Sequence, residues 1–363
     1  MRIAFFGSSL VSSYWNGAAT YYRGMLKEIA ALGHSITFYE PDAFDRQANR
    51  DIPDPSYARV HVYPATKDGW QRALAEAVGS ADLLIKASGV GVFDADLETA
   101  IAQAPGPAMR FYWDVDAPAT LDAIERDAMH HLRDAIPRFD LVLTYGGGEP
   151  VISAYRRFGA RDCVPLYNAL DPATHFPATP DPRFACDLGL LANRLPDRET
   201  RIERFFFDVA QQLPDKQFVL GGSGWASKAM PSNVRAVGHV GTGDHNAFFA
   251  SGRATLNVNR DSMARYGFSP PTRVFEAIGC GACLITDAWE GVELFLDPGR
   301  DVLVAASTDD VVRHLRELSP QRAAEIAERA RRRILADHTY ARRAQQFNRL
   351  FKGATLATTE AAE

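Results

Sequence analysis

Cysteine is scarce in this chain: Cys163, Cys186, Cys280 and Cys283 are the only four in 363 residues. Cys280 and Cys283 stand at C-x-x-C spacing, but no second pair and no histidine pair at metal-ligand spacing goes with them. That argues against a redox or zinc role, and the four read as small packing residues. Long apolar runs are also missing, so no segment reaches the ~20 residues needed to span a bilayer. The apolar stretch at Met1–Gly7 is too short for a secretory signal and reads as a strand entering a loop, which predicts a cytoplasmic protein. Positive charge is not in excess, since 40 Lys and Arg face 45 Asp and Glu for a net charge of −5. A mainly electrostatic nucleic-acid binder is therefore excluded. Neither a Walker loop nor a G-x-G-x-x-G fingerprint is present.

What is there is an alternation of short β-branched and apolar runs with helical patterns. In the first half, strands are predicted at 2–7, 35–40, 82–87, 108–114, 141–145 and 163–167; in the second, at 184–190, 217–221, 234–240, 254–259, 283–287 and 301–305. Such alternation implies parallel sheets covered on both faces. Length favours two domains, and six strands per half predict two Rossmann-like domains facing one another. Residues 1–170 form the first domain, and the four prolines of 171–182 mark a stiff linker. Residues 183–335 form the second domain. A long Arg-rich helical segment, Pro320 to Phe351, closes the fold, and the small polar tail 353–363 is expected to be disordered. The basic face of that segment suits a solvated surface or peripheral contact with anionic lipid.

The most informative stretch is Ser269–Gly281. It reads as a short helix between two buried strands, with Ser269 as N-cap, Pro270 in the first turn, and Gly279 and Gly281 as the stop. The start of such a helix faces the crevice outside the strand ends, where free N–H groups and the dipole accept phosphate. Thr272 and Arg273 would meet the phosphates, and Glu276 would accept hydrogen bonds from sugar hydroxyls. The same spacing also fits a plain Arg273–Glu276 pair at i, i+3. Gly222, Ser223 and Gly224 follow one strand and Gly238, His239 and Val240 end the next, so three strand ends aim polar loops at one crevice. Arg194 and Arg198 lie beyond the first strand of this half and suit a diphosphate leaving group.

In the first half, the loop 8–17 sets small polar residues beside aromatics, and Ser9, Trp15, Asn16 and Gly17 are the candidate contacts of a ring-bearing or hydroxyl-rich acceptor. Asp114 and Asp116 bring two carboxylates to a strand end, positioned to take a proton from an attacking hydroxyl. Their D-x-D string also fits a metal clamp, and Asp116 before Ala-Pro fits a turn or cap. His34, His130 and His131 read as capping, surface or packing residues.

Taken together, the loop ending at Gly17, the Gly33-His34 turn, Trp113 with Asp116 and Pro118, and Pro271-x-Arg273-x-Phe275-Glu276-x-x-Gly279-x-Gly281 resemble GT-B-fold glycosyltransferases. The nearest resemblance is to the spore-maturation (CgeB-like) branch of the group 1, family-4-like enzymes. It spans Arg2 to about Arg349. It implies an α/β fold of two Rossmann-like parallel-sheet domains facing a central cleft, with a last helix, 336–352, crossing back to the first domain. It further implies metal-independent transfer of a sugar from a nucleoside-diphosphate sugar, with no cofactor, to a glycan, protein, lipid-linked or small-molecule acceptor. Glu276 matches the second acid of the family's E-x7-E motif, which holds the ribose. Phe268 stands where the first should be. A nucleotide-sugar epimerase or hydrolase on the same fold, or a non-catalytic nucleotide- or carbohydrate-binding protein, are the alternatives.

Overall fold

A computed structural model describes residues 1–14 and 16–360, with side chains described as far as Phe351. The chain divides into two compact units. One comprises Met1–Tyr167 together with the chain from Tyr340 onward, and the other is Asn168–Thr339.

The first unit is built on β1 (Arg2–Phe6), β2 (Ser35–Asp42), β3 (Arg59–Pro64), β4 (Leu83–Ala87), β5 (Met109–Asp114), β6 (Leu141–Thr144) and β7 (Cys163–Pro165). They form one parallel sheet in the order β3-β2-β1-β4-β5-β6-β7. Six of these strands match the sequence expectation, and the edge strand β3 does not appear in it. Apolar residues fill β1, β4 and β6 because helices cover both faces. Trp113, one of the residues that carries the family resemblance, is a core residue. Its indole N–H donates to Tyr21 Oη at 3.1 Å and its ring stacks on Phe347 with centroids 5.7 Å apart.

The helix Ala19–Ala31 buries Tyr21, Tyr22, Met25, Leu26 and Ile29 on one stripe. Gly24 in this helix lets the last helix approach, since a Cβ there would stand 2.2 Å from the Tyr340 ring. The predicted continuous segment Pro320–Phe351 is instead two helices, Pro320–Asp337 and Tyr340–Glu360. Between them His338 leaves helical geometry and its carbonyl accepts from the Leu170 N–H at 2.9 Å. The second helix continues through 353–360, where the sequence predicts a disordered tail. Ala354, Leu356 and Ala357 are good helix formers there. Residues 361–363 lie outside the described residues. Among the described residues no helix is long and apolar enough to cross a membrane.

The second unit holds β8 (Cys186–Leu191), β9 (Phe218–Gly221), β10 (Val234–Gly238), β11 (Gly252–Asn257), β12 (Leu284–Asp287) and β13 (Leu303–Ala305). These are again parallel, in the order β10-β9-β8-β11-β12-β13. Phe205, Phe206 and Phe207 pack with Leu188, Leu190, Phe218 and Leu256 in its core. The order reverses between β8 and β11, so the connections from these two strands leave in opposite directions and open a crevice at their carboxyl ends.

Candidate functional site

The helix Thr272–Gly279 begins later than the sequence predicts. Pro271 is its N-cap with extended geometry, Ser269 makes no cap and is buried, and Pro270 lies outside the helix. A residue preceding proline is disfavoured in the helical region, which accounts for Pro270 standing outside the helix. Asn168 Nδ2 donates to the Pro270 carbonyl at 3.0 Å and anchors this segment. At the other end Gly281 is left-handed, its N–H bonds Ile278 O, and the Ala282 N–H bonds Ala277 O. That double bond is a glycine-dependent C-terminal stop.

Arg273 does not pair with Glu276. Its Nε donates to Leu191 O at 2.7 Å and its Nη1 to Asn257 Oδ1 at 2.9 Å, which ties the helix to the ends of β8 and β11. Glu276 is half-buried, and no ion pair or hydrogen bond engages its carboxylate among the described residues. Around Arg273 runs a chain of polar groups: Asn257 Nδ2 donates to Asn259 Oδ1 and Thr286 Oγ1, both at 3.0 Å. Asp287 Oδ2 accepts from the Asn259 N–H at 3.0 Å and from Arg201 Nη2 at 2.6 Å. Burial pushes the Asp287 carboxyl up, against the pull of Arg201.

Five arginines surround these strand ends, and three of them have carboxylates. Arg194 grips Glu199 through two bonds of 2.7 and 3.0 Å, Arg201 holds Asp287, and Arg260 pairs with Asp197 at 2.5 Å. Arg198 and Arg273 make no direct ion pair among the described residues, although Asp287 acts on both at longer range, with Asp197 on the first and Glu276 on the second. Arg198 is buried, donates once from Nη2 to Asn193 O at 2.8 Å, and leaves its Nε without a partner. Burial, then the neighbouring Arg273, pushes its guanidinium down to about 9. Asn259 Nδ2, fully buried, is a second donor without a partner here. Unfilled buried donors beside two arginines that make no direct ion pair, at a topological switch point, suit an anion rich in acceptor oxygens.

The neighbouring loops are rigid. Gly222 is left-handed, and a Cβ on it would meet the Ala192 carbonyl oxygen at 2.2 Å. The Ser223 N–H donates to Asn193 Oδ1 and the Arg194 N–H to Ser223 O, both at 2.9 Å, lacing the loops after β8 and β9 together. Ser223 and Gly224 are exposed beside them, as are Gly238 and His239, while Val240 is buried. Gly222→Ala is expected to lower stability by about 2–3 kcal/mol, through backbone strain and the clash with Ala192. Urea unfolding reads this directly, and an unchanged midpoint would show that the loop relaxes freely.

Phe268 also adopts a left-handed conformation, uncommon for a bulky residue, and its ring fills the space above Gly291. The sequence residues that the structure gathers at this site are Arg198, Thr272, Arg273, Glu276 and the Gly222–Gly224 loop. Asn257, Asn259, Arg201 and Asp287 are additions. For Asn257, Asn259 and Asp287 the sequence signal was polar side chains closing otherwise apolar strands, whereas Arg201 lies on the helix Pro196–Ile202 and gave none.

The candidates in the first unit serve mostly as scaffold. Ser9 is buried on Glu40 at 3.1 Å. Asn16 spends its side chain on Ser8, Ser9 and Ser12. Gly17 is exposed, and Trp15 lies outside the described residues. Asp114 is fully buried: Ser88 Oγ at 2.7 Å, the Asp116 N–H at 2.9 Å and Thr120 Oγ1 at 3.1 Å share one oxygen, and Tyr155 holds the other. Burial raises its carboxyl to about 6. Asp116, half-buried, precedes the helix Ala117–Arg126. His34 Nε2 lies 3.3 Å from Asn348 Oδ1, and His131 Nε2 lies 2.5 Å from Glu98 Oε2 beside the buried Lys86. All four cysteines are free, and among the described residues no group of three or more His, Cys, Asp or Glu is placed to hold a metal ion.

Two Rossmann-like parallel-sheet units in one chain are the GT-B fold of glycosyltransferases. Residues 198–349 match a family model described as glycosyl transferase-like. Among solved structures, sucrose-phosphate synthase from Thermosynechococcus elongatus superposes with a TM-score of 0.71 at 14% identity, over 98% of this chain and 100% of that one. HepE of Anabaena, in complex with UDP and glucose, gives 0.69 at 16% identity over 97% and 100%. An alpha-glucosyltransferase in complex with UDP and a DNA 13-mer gives 0.68 at 12% identity over 98% and 99%. No curated protein matches the sequence. These likenesses establish the fold.

Proposed function

We propose that this protein is a metal-independent glycosyltransferase of the hexosyl-transferring type that uses a nucleoside-diphosphate sugar. The observation that carries the reading is the buried Arg198, with an unfilled Nε, no direct ion pair among the described residues and Arg273 beside it. A diphosphate supplies the missing negative charge and the acceptor oxygens together. Glu276, one turn along the helix from Arg273, has a carboxylate placed to accept from the ribose hydroxyls.

In the reaction the bond between the sugar's anomeric carbon and the diphosphate oxygen breaks, and one to the acceptor oxygen forms. The acceptor's proton goes to a carboxylate, and the nucleoside diphosphate departs. Fixed cations aimed at the departing oxygen do the work that a divalent ion does elsewhere, without reorganising as charge develops. Arg198 and Arg273 take that role, and Arg194 holds the loop beside them through Glu199. The UDP bound in the HepE and alpha-glucosyltransferase structures agrees with a donor of this class.

The test is nucleoside diphosphate release from a panel of nucleotide sugars, with acceptor glycans, in EDTA. Release that persists in EDTA and rises with acceptor supports the proposal, and release that stops in EDTA removes metal independence. If no nucleoside diphosphate binds, the donor site itself is wrong. Glu276→Ala is expected to weaken nucleoside diphosphates about tenfold, the worth of one or two hydrogen bonds to a charged group, and to leave inorganic pyrophosphate unchanged.

A further inference from the structure

In the second unit, two imidazole rings face each other beyond the ribose position. His175 and His245 have ring centroids 5.8 Å apart. His175 is buried; its Nδ1 lies 3.0 Å from Thr174 Oγ1, and its Nε2 has no partner. His245, half-buried, likewise has a buried Nδ1 without a partner. A pair that only supported packing would leave two polar nitrogens unfilled at a cost of about 1–3 kcal/mol each. Apolar side chains would fill the space without that cost.

The Thr272–Gly279 helix fixes where this pair lies. Glu276 and Cys280 are four residues apart and share one face. Cys280 Sγ lies 3.0 Å from Asn246 Oδ1, and Asn246 Nδ2 donates to Thr174 O at 3.0 Å. A Cβ on Gly279 would stand 3.0 Å from the His175 carbonyl oxygen. The segments that carry both histidines are thus stitched to the helix one turn past Glu276. A nucleoside diphosphate laid along the helix follows the same order. Its phosphates meet Arg273, its pentose meets Glu276 about 4.5 Å further on, and its base falls about 6 Å beyond, level with Cys280. The groups that face His245 there are Glu276, His175 and His239. Burial, with both histidines, holds its imidazole below the usual value, and Glu276 and a hydrogen bond to the Val240 backbone oppose them. With that bond made, the neutral ring keeps its unpartnered Nδ1 for the edge of a base.

We infer that His245 recognises the base of the nucleotide donor and that His175 positions its ring. This rests on the donor reading above. Calorimetry on the full chain tests it, with UDP, ADP, GDP, CDP and inorganic pyrophosphate as probes. In His245→Ala the preferred nucleotide is expected to weaken about five- to tenfold and the ranking among bases to flatten, with pyrophosphate held within about twofold. His245→Gln, which keeps a donor and an acceptor, restores part of the ranking. His175→Phe keeps the packing and reproduces a milder form of the His245→Ala loss. A His245→Ala protein that retains the wild-type ranking, or that loses pyrophosphate in parallel, overturns the assignment. If the wild type binds pyrophosphate but no nucleoside diphosphate, the donor reading fails, and this inference fails with it.

Discussion

Arg198→Met is expected to weaken nucleoside diphosphate binding about 100-fold and at the same time to raise the melting temperature of the ligand-free protein. The first effect follows from losing a buried, charge-assisted contact, worth about 2–5 kcal/mol when one partner of such a pair is removed. The second follows from where the guanidinium sits. Burial and Arg273 push it from the ordinary arginine value down to about 9, a gap that costs the folded state a few kcal/mol. The unfolded chain holds that proton more tightly. The cost is therefore in full force at every pH below about 9 and eases only as the pH climbs above it. At neutral pH a methionine of similar reach removes the cost. Calorimetric titration and a thermal melt of the same preparation check both halves. A variant that binds as well as the wild type would show that the anion receptor lies elsewhere. One that binds poorly and melts lower would show that Arg198 is a structural strut.

Asp114→Asn is expected to leave sugar transfer within about threefold of wild type, because a residue that only shapes a loop is replaced by one that still accepts hydrogen bonds. Its signature lies in the pH profile of stability. Burial raises the carboxyl to about 6 in the folded chain. The folded state thus binds the proton more tightly than the unfolded state. The resulting contribution, about 3 kcal/mol, is complete below about pH 4 and is lost as the pH rises through 6. Asp114→Asn lacks this slope, so urea midpoints of wild type and variant should diverge between pH 6 and 4 and run parallel above. Asp114→Ala strands Ser88, Thr120, Tyr155 and the Asp116 N–H together, and about 3 kcal/mol of stability should go with them. A hundredfold loss of activity in a stably folded Asp114→Asn protein would return the residue to catalysis.

The fold was legible because each sheet is parallel and covered on both faces, so its strands read as apolar runs wherever they lie inside. The edge strand β3, Arg-Val-His-Val-Tyr-Pro, broke that pattern with Arg59 and His61 and left no such run. The helix bearing Arg273 and Glu276 was visible from its glycines, but consecutive prolines hid its true start. The candidate site was half visible. Arg194 and Arg198 look alike in the sequence, and only the folded chain shows that the first closes on Glu199 and the second does not. Asn259 and Asp287 are 28 residues apart and meet only because β11 and β12 are neighbours. Ser9 and Asn16 misled for the opposite reason. Small polar side chains in a loop look ready for a ligand, and here they hold the loop itself together.

The first unit is discontinuous: its chain is interrupted after Tyr167 and resumes only at Tyr340. During synthesis, then, the residues that the ribosome makes first cannot finish folding first. Tyr340 must arrive to seat its ring over Gly24, and Phe347 must arrive to stack on Trp113, before that core is whole. The intervening unit, whose sheet draws on one unbroken stretch, is free to complete itself while the earlier lobe waits on the chain terminus. A released chain cut short before Tyr340 would hold a complete second lobe beside an open, aggregation-prone first one.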